Sequence, residues 1–434
     1  MRPRTPEPDP RGHERSRFAR IAIDLTPLRV SRDFRFLWAG TFVSALGSQF
    51  ARVGLYVQVY ALTGSAAAVG LLGVSGLIGN ITGTLVGGSF IDAHDRRMVL
   101  IATQIGHIAV AAVLVWAALL ADPPLLVLHV ANTATWFLAA IDFPARQAAV
   151  PRLVGTERMA AASALTQLLW QTTSILGPAI AGVLIAATSP AWAYAADLVS
   201  YAALLLAALA IRPLPPEPPA EGERVTGAGA VVDGFVYVAR HRLIQSTFAI
   251  DLVAMIFGMP AALFPVLAAM QFDRGPEVVG LLFAAPAVGA LAQTVLAGSV
   301  TRIDRQGTAV IWAVAGWGAA IAAFGASGAN LMLALAFLAV AGAADVVSAI
   351  FRTTILQVNV PDRLRGRLSG IFSLVVTGGP KVGDVEAGLV AAWFSPTISV
   401  ISGGLACILG AGLVALAYPE LRRYRPRVAT PGPG

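Results

Sequence analysis

The 434-residue chain contains a single cysteine, Cys407, a single lysine, Lys381, and only 13% charged residues. One thiol excludes a disulfide framework and a thiolate metal cage. The five histidines (13, 94, 107, 129 and 241) form no His-x-x-x-His pair that could hold zinc. No metal and no cofactor is expected. Lys381 is followed by Val382 where a P-loop needs Ser or Thr, so no loop of that kind cradles a nucleotide. A convergent nucleophile, base and metal set is also missing, which argues against an enzyme, including a lipid-processing transferase embedded in a membrane. A soluble domain carries about 25% charged residues, roughly twice the share found here. The chain lacks the polar coat of a water-soluble fold.

Apolar sequence takes its place: 56% of residues are hydrophobic and the mean hydropathy is +0.72. From Phe34 onward, stretches near the roughly 20 residues that cross about 30 Å of hydrocarbon follow one another. We predict twelve spans, at 34–62, 66–91, 98–121, 125–146, 161–187, 190–211, 243–271, 276–302, 308–326, 329–352, 369–394 and 396–418. Lipid offers no partner for backbone N–H and C=O, so these spans are helices. A membrane barrel would show alternating segments of about ten residues instead. The links Asp122-Pro123-Pro124 and Thr188-Ser189-Pro190 are short enough to force antiparallel neighbours.

The net charge of +7 acquires a location once these spans are drawn. The N-terminal tail, Arg96/Arg97, Arg146/Arg152/Arg158, Arg212 to Arg242, Arg302/Arg305, Arg352 to Arg367 and Arg422 to Arg427 all fall on one side, and only Arg274 on the other. The positive-inside rule then places both termini in the cytoplasm of a multi-pass plasma-membrane protein. Arginine held by anionic headgroups accounts for the basic charge, and nucleic acid is not an expected partner. A strong preference for Arg over Lys suits a GC-rich bacterial genome and hence a bacterial inner membrane. The expected organisation is a disordered cytoplasmic tail at 1–33, spans at 34–211, a Pro-rich cytoplasmic linker at 212–242, spans at 243–418 and a second tail at 419–434.

The linker divides the spans evenly, and the two sets resemble each other. A shift of 210 positions superposes Val69-Gly70-Leu71-Leu72 on Val279-Gly280-Leu281-Leu282, Gly79 on Gly289, Thr84 on Thr294 and Gly88-Ser89 on Gly298-Ser299. The expected fold is all-α, twelve transmembrane helices in two pseudo-symmetric six-helix bundles around a central cleft, as a monomer. That is a transporter design with its substrate site at the interface between repeats.

Gly88-Ser-Phe-Ile-Asp92-Ala-His-Asp95-Arg96-Arg97 follows the second span. Here the chain resembles the major facilitator superfamily, whose signature loop runs Gly, three residues, Asp, a basic residue, any residue, Gly and two basic residues. Ala93 and Asp95 depart from it. The resemblance implies that Asp92, Arg96 and Arg97 form a latch across the interface between the bundles, with Gly88 as part of the gating motif. Asp95, Val150-Pro151-Arg152-Leu153-Val154, Gly177-Pro178, Trp192-Ala-Tyr194, Gln357, Gly366-Arg367 and Gly383-Asp384 are more specifically similar to the siderophore-exporting branch typified by enterobactin exporters. Macrolide and multidrug exporters share much of this pattern, so both substrate classes stay open. Gly177-Pro178-Ala-Ile-Ala-Gly182 looks like a shortened antiporter motif, a place for a helix to bend; ordinary small-residue packing explains it equally well.

Ionisable residues within apolar spans are the sharpest signal, since each costs about 2.5–3.5 kcal/mol at a helix centre unless it meets a cavity or a partner. Asp142, Asp345, Asp384 and Glu386 are the candidate proton-coupling carboxylates; Arg52, Arg146, Arg352 and Lys381 are candidate substrate or counter-charge residues. Asp142 and Arg146, four apart, can pair. Asp345 and Arg352, seven apart, share a face but are expected to be too distant to pair, while Lys381 and Asp384, three apart, can neutralise each other. Asp197 and Asp251 are expected to be structural, and His107 a hydrogen-bonded packing residue. The expected activity is secondary active export by proton antiport of a small amphipathic molecule such as a siderophore.

Overall fold

A computed structural model describes residues 24–215, 236–295 and 303–425. Residues 1–23 and 426–434 of the tails and most of the linker expected at 212–242 lie outside the described residues; within the tail expected to be disordered at 1–33, a short helix covers Thr26–Val30 and the first long helix already starts at Arg32, and a short helix covers Pro419–Arg423 in the second tail. The long helices are α1 (Arg32–Thr63), α2 (Ala66–Ala93), α3 (Arg96–Ala118), α4 (Leu125–Val154), α5 (Met159–Ala187), α6 (Pro190–Ala210), α7 (Arg242–Phe257), α8 (Pro276–Val295), α9 (Gln306–Gly325), α10 (Leu331–Asn359), α11 (Asp362–Trp393) and α12 (Pro396–Ala417). Their starts carry the capping expected of interrupted apolar sequence. Ser31, Ser65, Asn330 and Ser395 each accept a backbone N–H three residues on.

Ten spans among the described residues are long and apolar enough to cross a membrane. α1 and α11, each 32 residues long, are not among them. α1 carries Gln49, Arg52 and Gln58, and α11 carries Lys381, Asp384 and Glu386 within six residues. These two helices cannot face lipid all round, and they hold the central polar cluster described below.

Three boundaries differ from expectation. α4 and α10 run past the predicted ends at 146 and 352 to Val154 and Asn359, and α11 begins at Asp362 rather than 369. Arg flanks the apolar stretch in each case, and an amphipathic helical turn continues a span into the headgroup region at little cost. The predicted span 243–271 is broken: α7 stops at Phe257, a 3-10 turn covers Ala261–Leu263, and a short helix resumes at Phe264–Met270. Gly258, Pro260 and Pro265 explain the break, because proline removes a donor and disfavours helical geometry in the residue before it.

Helix pairing repeats along the chain. Contacts between α1 and α5, α1 and α6, α2 and α4, α3 and α4, and α3 and α6 recur as α7–α11, α7–α12, α8–α10, α9–α10 and α9–α12. The match of Gly79 with Gly289 acquires a physical basis: a methyl group at Gly79 would collide with the Thr133 carbonyl of α4, and one at Gly289 with the Ala339 carbonyl of α10. Both positions are glycine because two helix backbones touch there.

Between the two groups, the main contacts are α2 with α11 and α5 with α8. Among the described residues, close backbone approaches between the groups occur toward the end carrying the links 63–66, 187–190, 270–276 and 393–396. A Cβ on Gly70 would lie 2.6 Å from the Asp384 carbonyl, and one on Gly182 2.6 Å from the Pro276 carbonyl. We refer to this as the closed end, and to the end with the starts of α1 and α5 as the opposite end.

Candidate functional site

Where α1 and α11 meet, Asp384 is only 4% exposed. Its Oδ2 accepts the Tyr56 hydroxyl of α1 at 2.6 Å, and its Oδ1 accepts the Ala262 N–H at 2.9 Å. That N–H is free because α7 is broken at Gly258: an unbroken helix would have used it internally. The carboxylate is thus held by a side chain of one helix group and by interrupted backbone of the other.

Lys381, one turn away, is 5% exposed and does not pair with Asp384, contrary to expectation. Its Nζ donates to the Thr377 carbonyl at 2.6 Å and stands 3.4 Å from the Trp136 ring centroid of α4. The Thr377 carbonyl and the Trp136 face give the ammonium partners of its own. Arg52, one turn before Tyr56, lies over Phe283 of α8 at 4.9 Å, and Tyr56 meets the same ring edge-on at 5.6 Å. Thr377 donates to Asn80 Oδ1 at 3.2 Å, another bond between the groups. Glu386 is half-buried and has no hydrogen-bond or ion-pair partner among the described residues.

The other candidates form separate clusters. Asp142 pairs with Arg146 as expected, and its Oδ1 accepts Gln104 at 2.8 Å and Thr103 at 3.2 Å. Arg352 pairs with Asp251, an arrangement the sequence does not suggest because 101 positions separate them. It also comes within 3.8 Å of Asp345, which corrects the expectation that they are too far apart. A long guanidinium side chain spans two helical turns. Asp345, at 37% side-chain exposure, stands nearer water than Asp251 at 1%. Asp197 accepts the Ser200 hydroxyl, and His107 bonds the Thr103 carbonyl and stacks on Tyr201, both in the packing roles expected.

The buried Asp251–Arg352 pair yields a stability prediction. Arg352→Met alone is expected to destabilise the protein by about 3–5 kcal/mol, because it strands a buried charge, and adding Asp251→Leu is expected to recover much of the loss. Thermal unfolding of the two variants and the unsubstituted protein in detergent checks the order; equal stability of single and double variants would refute it.

Among the described residues, Arg96 and Arg97 of the signature loop contact their own helix group. Asp95 caps α3 through Arg97 N–H at 2.8 Å and also accepts Leu214 N–H at 3.1 Å. Arg97 donates to the Ala208 and Leu209 carbonyls at the C-terminus of α6, where a cation meets the negative end of the helix dipole. The buried Nε and Nη1 of Arg96 have no hydrogen-bond partner among the described residues. Gly88 is exposed with open space beside it, and the Asp92 side chain lies outside the described residues. In the bending motif, Gly177 packs on Gln49 of α1 and Gly182 on Pro276 and Gly280 of α8. Pro178 sits within a continuous α5.

Sequence reasoning missed Tyr56, Ala262, Asn80, Trp136 and Phe283. Tyr56 was within reach, four residues from Arg52 in a helix too polar for lipid.

Residues 22–426 match the family model described as transmembrane secretion effector. The enterobactin exporter EntS of Citrobacter koseri is 27% identical over 407 residues, covering 93% of this chain and 96% of that one. A mutant of the nucleoside transporter NupG superposes with a TM-score of 0.71 at 15% identity, covering 90% of this chain and 100% of the other. A bacterial homologue of the iron transporter ferroportin, in its inward-facing state, gives 0.64 at 17% identity, covering 91% and 99%.

Proposed function

We propose, for a chain that belongs to the transmembrane secretion effector family of major facilitator transporters, that it exports a small amphipathic molecule by proton antiport. It is a multi-pass membrane protein and a secondary transporter. On our reading α1–α6 and α7–α12 are two six-helix bundles that rock about the α2–α11 and α5–α8 contacts, with both termini in the cytoplasm of a bacterial inner membrane. The closed end is then the outer one, and the cleft opens to the cytoplasm.

The observation that carries this proposal is Asp384, held between Tyr56 of one bundle and the Ala262 N–H of the other. An ionised Asp384 accepts both bonds and ties the outer end shut. Protonation weakens them and favours opening, so proton affinity and conformation are coupled. Asp345 and Asp142 sit in ion pairs within one bundle, where protonation leaves the contacts between bundles untouched. The similarity to enterobactin exporters supports a siderophore as substrate.

Two measurements test this. Substrate added to inside-out vesicles with an acidic lumen is expected to drive protons outward, and Asp142→Asn and Asp345→Asn are expected to keep more of that exchange than Asp384→Asn. In culture, deletion of the gene under iron limitation is expected to deplete a secreted siderophore from the medium. Unchanged siderophore secretion together with heightened drug sensitivity would overturn the siderophore reading in favour of drug efflux.

A further inference from the structure

The proton-coupling cluster leaves unused a cavity of about 320 Å³ walled by α1, α4 and α5. Its lining comes from the first turns of α1 and α5 and the last turns of α4, so it lies at the end opposite the closed one. We infer that this cavity is a binding site for an aromatic anion, a planar ring bearing an acidic group. As a substrate site it rests on the export reading; as a binding site it does not.

Size sets the first limit. Small-molecule sites run from about 300 to 1,000 Å³, so this cavity accepts one substituted ring, or one aryl arm of a larger molecule, and no more. Charge sets the second. Arg146 is the one charged residue in the lining, so the wall carries a cationic group and no anionic one. Arg146 pairs with Asp142 through Nη2, and its side chain remains 15% exposed, so that pair does not enclose it. A guanidinium presents several donors in one plane, and an arginine with a spare edge suits a carboxylate or an acidic phenol.

Shape sets the third limit. Trp38, Phe143 and Trp170 line the cavity and are held in place. The indole N–H of Trp38 donates to the Leu165 carbonyl at 3.1 Å, Phe143 and Trp170 pack at 5.8 Å, and Arg146 lies over Trp170 at 5.9 Å. Fixed aromatic faces lose little entropy when a flat ring stacks on them. Gln147 and Gln167 supply hydrogen bonds for ring substituents.

The test is equilibrium dialysis of the full-length chain in nanodiscs with three probes: salicylate, cyclohexanecarboxylate and benzyltrimethylammonium. Salicylate is expected to bind. Cyclohexanecarboxylate, which keeps the charge and loses the flat ring, is expected to bind about two- to tenfold more weakly, and the ammonium, which meets Arg146, more weakly than salicylate. Trp170→Leu is expected to weaken salicylate by about tenfold and Gln167→Leu by less, with Trp312→Leu, at a 73% exposed position, as a control that changes nothing. Ammonium binding equal to salicylate, or salicylate affinity indifferent to both cavity variants, would overturn the inference. Salicylate that binds with this residue dependence yet is never moved across a proteoliposome membrane would count against the export reading of the site and leave the binding site standing.

Discussion

Asp384→Asn is expected to abolish proton-driven export while the protein still folds and still exchanges substrate down its own gradient. Asparagine that keeps its oxygen on the Ala262 N–H turns its NH2 toward the Tyr56 hydroxyl, so the charged bond between the groups is lost. Hydrogen bonds to a charged group contribute about 1.5–3 kcal/mol each, and about 1.4 kcal/mol is tenfold in an equilibrium. Losing the charged bond from Tyr56, the one of the two that joins the groups, therefore shifts the closed-to-open balance by roughly 10- to 150-fold, and no later change in pH restores it. The two readouts that separate coupling from collapse are proton flux and counterflow in proteoliposomes. Counterflow near that of the unsubstituted protein with proton-driven flux lost is the expected pattern. Preserved proton-driven flux in Asp384→Asn would remove Asp384 from the mechanism, and loss of both fluxes would make it a structural residue. Tyr56→Phe removes one donor and no charge, so a smaller fall in the same flux is expected.

Helices were legible in the sequence because lipid leaves the backbone no other choice, and the repeat was legible at Gly79 and Gly289 because both sit where two backbones touch. The break after Phe257 was not predicted, although Gly258, Pro260 and Pro265 were in view, since membrane helices commonly tolerate such residues when neighbours satisfy the freed groups. That omission hid the site: without the break there is no free Ala262 N–H and no reason to single out Asp384 from the other acids. Pairing was legible only over short separations. Asp142 and Arg146 share a helical face four apart, whereas Asp251 meets Arg352 through tertiary packing that no spacing rule encodes. Lys381 and Asp384 had the right spacing and still did not pair, because spacing says which groups can meet and not which competitors are present.

Valine at Gly70 or Gly280 is expected to hold the transporter away from the conformation described here. At Gly280 a side chain would collide with the Pro178 carbonyl and lie 3.0 Å from the Gly182 backbone; at Gly70 it would lie 2.6 Å from the Asp384 carbonyl and 3.0 Å from Gly388. Each contact joins α2 to α11 or α5 to α8, so the clash exists when the end is closed and vanishes when the helices part. Overpacking costs about 1–3 kcal/mol, which lowers the closed population by roughly 5- to 150-fold. The chain suits a direct measurement, because its one cysteine, Cys407, is buried and can be replaced by serine. Spin labels at Leu62→Cys and Phe394→Cys, both exposed at the closed end, are expected to show a short distance in the otherwise unsubstituted protein and a longer one with Gly280→Val. Asp384→Asn is expected to lengthen the same distance, since it loosens the same end chemically. If valine at Gly280 leaves the distance distribution unchanged while export falls, the α5–α8 contact is not a moving seam and the rocking motion must be sought elsewhere.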